Sequence, residues 1–204
     1  MKLLVLGASG KTGNELVRQG LARGMEITAL VRSPQKMQSK SPKLKIIEGS
    51  PLSQETLTQV ARGHDAVVSL LGHMDLKKSF FVTEAATALI LAMKATGVER
   101  LLAISSTLVG PGGSILTKIP RVITKHALND SAEMEKIIRP TSLDWTVVRL
   151  VRLTSKGDTP YRLFDDEPPS VSASVSRTTV AKCMLDLISD HSYYRRVTSV
   201  CGTR

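Results

Sequence analysis

Residues 3–13 read LLVLGASGKTG, and the fold turns on how that apolar run is continued. The run is too brief for a helix and ends in glycine, so Lys2–Leu6 reads as a buried parallel strand. Leu16, Val17 and Leu21 then fall at helical spacing, and Gly24 closes that helix. Between strand and helix lie Gly7, Gly10 and Gly13, evenly spaced. Such a turn brings backbone amides close to a phosphate, because glycine bends sharply and carries no side chain.

Two kinds of phosphate compete for the motif. Gly10-Lys11-Thr12 looks like the end of a triphosphate loop, but that loop needs an earlier glycine where this chain has Val5. No hydrophobic strand ends in an aspartate that would complete a magnesium site. A dinucleotide needs strand, glycine turn, helix and second strand, and Ile27–Val31 supplies the last of these.

The residues after that second strand choose the dinucleotide. An acid there would hold the adenosine ribose of NAD, and ALVRSPQK, residues 29–36, contains none. Arg32 is followed by Ser33, with Lys36 nearby. A guanidinium facing a 2′-phosphate makes charge-assisted bonds worth roughly 1.5–3 kcal/mol each, about a ten- to hundredfold preference for NADPH. A solvated arginine at a strand end is the alternative.

The alternation continues downstream. Leu44–Ile47 is a third strand, and Ser53 caps a helix carrying Leu57 and Val60. Ala66–Leu71 is a fourth strand, followed by a helix over Phe80–Ala95 that Gly97 ends. Arg100–Ile104 is a fifth strand, Ser131–Ile138 a helix and Trp145–Leu150 a sixth strand. Ser176 caps a last helix through Ile188. This pattern predicts one α/β domain over residues 1–204, a doubly wound parallel sheet of the Rossmann kind. Thr107–Lys125, with GPGGS and a basic stretch, and Leu153–Ala173, with an acidic run at Asp165, fall outside the alternation. Both follow strands, so both are expected as loops covering a substrate at the carboxyl edge of the sheet.

A formal charge of +10 attracts anions, while an aromatic content of 3% argues against a base-stacking surface. The basic residues are scattered and no nucleic-acid motif accompanies them, so a small anionic ligand is favoured over nucleic acid, and most of the charge is read as solvated surface. Cys183 and Cys201 have neither metal spacing nor a disulfide framework, which points to a reducing cytoplasm. Both read as buried small hydrophobes, and Met134 and Met184 as core. The opening apolar run is shorter than a secretory core, and no segment approaches a membrane span. No cluster has metal-ligand spacing, and there is no Gly-x-Ser-x-Gly elbow.

GASGKTG, LVRSPQK, VVSLLGH and AMKATGVERLLAISST together resemble the atypical short-chain dehydrogenase/reductases, above all the flavin reductase/biliverdin-IXβ reductase type and its NAD(P)H-binding relatives. The likeness runs to about residue 150, and LDWTVVR and SRTTVAKCMLDLI extend it toward the C-terminal helix. It implies that Gly7, Ser9, Gly10, Lys11, Thr12 and Gly13 hold the pyrophosphate and that Arg32 and Ser33 take the 2′-phosphate. It also sets Leu71, Gly72 and His73 beside the ribose and nicotinamide. Ser105 and Ser106 end the fifth strand where the family keeps an active-site serine, Ser106 being the nearer match.

The departures are as informative. Full catalytic sets carry Tyr-x-x-x-Lys on the helix after that serine, and the alignment puts Ala127 and Ser131 there. The family's adenine-contacting aspartate is replaced by EGSPLS, leaving Ser50, and the usual Arg-Pro after the sixth strand is Arg149-Leu150. Carbonyl chemistry needs the tyrosine as acid, whereas flavin reduction needs two rings stacked at reacting distance. The expectation is an NADPH-dependent reductase of flavin or a similar planar acceptor, acting as monomer or homodimer. Ser106 and His73 would line its reacting face. Lys118, Arg121 and Lys125 would either meet an anionic substrate or remain surface charges. Ser106 is equally suited to satisfying backbone at the strand end, and His73 to being a loop histidine without a chemical role. The rival is a non-enzymatic NADP(H)-binding redox sensor of the nitrogen-metabolite-repression type, which would also keep a cofactor site without catalytic residues.

Overall fold

A computed structural model describes residues 1–72, 80–109, 118–155, 157–165 and 173–203, with backbone alone for 118–124. The chain runs β1 (Lys2–Leu6), α1 (Lys11–Ala22), β2 (Glu26–Val31), β3 (Leu44–Glu48), α2 (Gln54–Ala61), β4 (Ala66–Ser69), α3 (Phe81–Thr96) and β5 (Arg100–Ser106). It continues through α4 (Lys118–Ile138), β6 (Asp144–Leu150), β7 (Arg152–Thr154), β8 (Tyr161–Phe164), β9 (Ser174–Ser176), α5 (Arg177–Leu187) and β10 (Arg196–Gly202).

Leu3, Leu4, Val5 and Leu6 of β1 have no exposed surface. Successive strand side chains point to opposite faces, so an unbroken apolar run means both faces are covered. Leu3 and Val5 pack into a core with Leu16 of α1 and Val180 of α5. Leu4 and Leu6 pack into a second core with Leu57 of α2, Leu89 of α3 and Met134 of α4. Burying each such side chain contributes about 1.5–3 kcal/mol.

Among the described residues the main sheet has eight strands in the order β3-β2-β1-β4-β5-β6-β10-β8. All its pairings are parallel except β10 with β8, which is antiparallel. The chain winds one way from β1 to β3 and the other way from β4 onward. The crevice between β1 and β4 is therefore the switch point where such sheets bind ligands. The doubly wound fold is as expected. Ser53 accepts the Thr56 amide at 3.2 Å and Ser176 the Thr179 amide at 3.0 Å, so both predicted caps form.

Both segments expected to be loops are in part regular structure. Thr107–Val109 forms a 3-10 turn, and α4 begins at Lys118, well before the predicted Ser131. Pro120 falls in the first turn of that helix, where a missing N–H costs no intrahelical bond. Buried Asp130 also breaks the apolar periodicity by which the earlier turns would be recognised. Lys118, Arg121 and Lys125 consequently lie on α4, not in a loop. In the second segment β7 pairs with β9 in a separate two-stranded sheet, and β8 pairs with β10. β10 itself, RVTSVCG, has no counterpart in the sequence reading. Thr198 and Ser199 make it look half-exposed, yet they are 1% and 7% exposed because β10 sits between β6 and β8.

At the amino edge, buried Arg100 donates to the carbonyls of Leu187 and Ile188, tying the end of α5 to β5. Its positive charge also suits a helix C-terminus. Met134, Met184 and Cys183 are core, and burial pushes the Cys183 thiol up to about 12. Cys201 is half-buried. No described helix is long and apolar enough to cross a membrane.

Candidate cofactor site

The glycine turn is shaped by backbone contact. Gly7 has φ +76, and a Cβ there would lie 2.7 Å from the Leu70 carbonyl oxygen at the end of β4. The Gly10 amide donates to the Gly7 carbonyl at 3.1 Å, closing the turn. Gly13 is buried, and a Cβ on it would sit 2.2 Å from the Gly7 oxygen. Gly13 thus lets the helix approach the turn, while Gly7, Ser9 and Gly10 face the crevice. Gly10 caps α1 without any side-chain hydrogen bond, and the first turn holds no acid. The amides of that turn and the positive end of the helix make a site for an anion.

The crevice opens into a groove of about 340 Å³. Leu30, Val31, Arg32, Ser33 and Lys36 form its wall at the end of β2, and Leu70, Leu71, Gly72 and Phe81 the wall beyond β4. No carboxylate lines it among the described residues. The Arg32 guanidinium lies 5.7 Å from the centroid of the Phe81 ring, within cation–π range. Lys11 is exposed and Thr12 half-buried at the start of α1. Pro51 reaches the groove beside exposed Ser50, whose hydroxyl accepts the Leu52 amide at 3.2 Å.

Asn14, which the sequence reading passes over, is 7% exposed and joins the two sides of the groove. Its Nδ2 donates to the carbonyls of Ser9 at 3.1 Å and Lys36 at 3.2 Å, and its Oδ1 accepts the Gln38 amide at 2.9 Å. The available signal was an amide on the apolar side of α1, beside Leu16 and Val17.

A second polar cluster lies at the ends of β5 and β6. Glu135 of α4 is 2% exposed, and its carboxylate accepts from Ser105 Oγ at 2.7 Å. Arg149 donates to it through Nε at 3.0 Å and Nη2 at 2.8 Å, and Arg139 through Nη2 at 2.9 Å. Burial alone would raise the carboxyl pKa; the hydrogen bonds from Arg149, Arg139 and Ser105 outweigh it and hold the group below its ordinary value. Ser105 is therefore turned toward α4. Ser106, the next residue, is half-buried and its hydroxyl accepts the Leu108 amide at 3.3 Å. Its own proton remains available for a further bond. Ala127 and Ser131 lie half-buried on α4, the helix that follows β5. His73 falls outside the described residues.

Asp130 of α4 is fully buried and caps α3, accepting the amides of Val82 at 3.1 Å and Thr83 at 3.0 Å. It thereby anchors the helix turn that carries Phe81 into the groove. Asp130 and Glu135 both lie on the inner face of α4. The sequence alone suggested a role for neither.

The pattern of the NAD(P)H-binding family matches residues 7–191, from the first glycine of the turn to beyond α5. The chain belongs to the NAD(P)H-binding family. It is 30% identical to the Bacillus subtilis protein YwnB over 72% of this chain and 70% of that one. It is 28% identical to a chloroplastic protein of Arabidopsis thaliana, over 96% of this chain and 75% of that one. The fold is similar to that of the Lactococcus lactis oxidoreductase ylbE, with a TM-score of 0.86 at 20% identity over 100% of this chain and 92% of that one. It also resembles a Veillonella parvula short-chain dehydrogenase/reductase solved in complex with NADP, with a TM-score of 0.85 at 20% identity over 98% and 93% of the two chains.

The site fits the cofactor of this NAD(P)H-binding family on its own geometry. A diphosphate needs unbonded amides at a close-approach turn; the Gly10 amide closes that turn, and the amides opening α1 at Lys11 and Thr12 have no intrahelical partner and no side-chain cap. The far end of the groove carries Arg32 and Lys36 and no acid among the described residues, a donor set that suits a phosphorylated ribose.

Proposed function

We propose that the chain is an NADPH-dependent reductase that passes hydride to a flavin or a similar planar conjugated acceptor. The observation that carries this reading is a phosphate-binding groove at the β1–β4 crevice in a chain whose α4 bears Ala127 and Ser131 where the resemblance expects a tyrosine and lysine to supply a proton. Reduction of a carbonyl needs that proton delivered to oxygen in the transition state. A flavin ring draws its proton from solvent, so the protein's task is to bind and orient. The motif resemblance to flavin reductases supports the acceptor class.

The residues divide that task. Gly7, Ser9, Gly10, Lys11 and Thr12 hold the diphosphate, with Gly13 shaping the turn. Arg32 and Ser33, joined by Lys36, take the 2′-phosphate, and Ser50 offers the adenine a polar contact. Leu71 and Gly72 flank the ribose and nicotinamide. Ser106 and His73 line the reacting face, and Ser105 anchors the strand end beneath it. When bound, the cofactor supplies the hydride.

The test is an acceptor screen with NADPH, using free flavins, quinones and biliverdin. Flavin reduction well above the uncatalysed background is expected. Tight NADPH binding with no turnover of any acceptor overturns the reductase. It leaves the redox sensor, whose affinities for oxidised and reduced cofactor should then differ.

A further inference from the structure

We infer that Asn14 locks the two phosphate-binding segments of the groove into one unit, and so sets how much a 2′-phosphate adds to cofactor affinity. This rests on the NADPH reading above. The diphosphate side of the groove is the turn through Ser9 and Gly10. The 2′-phosphate side is the segment from Arg32 through the 3-10 turn Pro34–Lys36. Asn14 belongs to α1, yet its side chain bonds to both.

The bonding pattern requires an amide. Nδ2 has two hydrogens facing the carbonyls of Ser9, Gly10 and Lys36, the Gly10 contact at 3.3 Å being the longest. Oδ1 accepts the Gln38 amide at 2.9 Å. Every partner is a backbone group, and the position is 7% exposed, so water cannot readily replace the side chain. The carbonyl of Lys36 and the amide of Gln38 are thereby held across 22 and 24 residues of sequence. A segment ordered before binding loses less entropy when Arg32, Ser33 and Lys36 close on an anion. Without Asn14 the segment must order itself on the ligand, and the gain from the 2′-phosphate shrinks.

The experiment compares NADPH and NADH binding in the wild type, Asn14→Ala and Arg32→Ala, with hydrogen exchange of the Gln38 amide followed in the cofactor-free protein. The proposal expects the NADPH-over-NADH ratio to fall about fivefold or more in Asn14→Ala, and Gln38 exchange to accelerate. Equal weakening of both cofactors, with the ratio retained, overturns it. If wild type does not discriminate and Arg32→Ala changes nothing, the NADPH reading fails instead. Gln38 exchange then decides for Asn14: acceleration keeps the tie between the segments, and unchanged exchange overturns it. Should Asn14→Ala not fold, Asn14→Asp takes its place. Gln38 exchange is the deciding readout for that variant, because its charge also opposes the 2′-phosphate carried by NADPH alone: the aspartate keeps the acceptor for Gln38 but turns an oxygen toward three carbonyls, and unchanged exchange overturns the tie.

Discussion

Arg149 grips Glu135 through two nearly equal bonds, Nε to Oε1 at 3.0 Å and Nη2 to Oε2 at 2.8 Å. Ser105, the register partner of Arg149 on the adjacent strand, bonds the same carboxylate. The ends of β5 and β6 are thus pinned to α4 immediately below Ser106, the proposed reacting face.

Glu135→Gln should destabilise the protein by about 3 kcal/mol at neutral pH, because it leaves the Arg149 charge without its counter-charge at a largely buried site. The folded carboxyl lies below its ordinary 4.5. Its contribution is therefore complete above about pH 4.5 and is lost as pH falls through the folded value. Urea denaturation of both proteins across pH 3 to 7 checks this. The gap should be constant down to about pH 4.5 and narrow below it, and a gap that widens in acid would contradict the assignment.

Arg32→Ala should weaken NADPH by about 1.5–3 kcal/mol and leave NADH nearly unchanged. Titration of both cofactors against the variant reads this directly. Equal losses would mean that the guanidinium serves some other contact, such as the one with the Phe81 ring.

Gly13→Ala tests close approach against helix propensity. Alanine in a helix gains about 1 kcal/mol over glycine, but this Cβ would meet the Gly7 oxygen at 2.2 Å, a backbone atom that cannot step aside. The clash should win, with a net loss of about 2–3 kcal/mol and loss of cofactor binding. Gly20→Ala is the comparison, since its Cβ would meet side-chain ends and no backbone, Ile27 Cδ1 at 2.9 Å being the nearest and Leu185 and Met25 lying at ordinary contact distance. Thermal melts should show the second change as much the milder of the two.

Much of the fold was legible because its signals are local. A continuous apolar run such as Leu3–Leu6 identifies a strand covered on both faces, and Ser53 and Ser176 announce the starts of α2 and α5. The first half of α4 was not legible, because Pro120 and buried Asp130 mimic a loop. Nor was β10, where Thr198 and Ser199 look solvent-facing. In each case a polar residue is buried by a partner from elsewhere in the chain, which local periodicity cannot register.

The same division holds at the site. The glycine turn and the basic residue that follows β2 are readable along the chain, because backbone freedom at Gly7 and the charge of Arg32 are properties of single residues in a short span. That Asn14 reaches Lys36 and Gln38, that Asp130 caps α3, and that Glu135 receives Arg149 and Ser105 emerges from long-range packing. A buried polar side chain must find its hydrogen bonds wherever packing places a partner, and packing belongs to the whole chain.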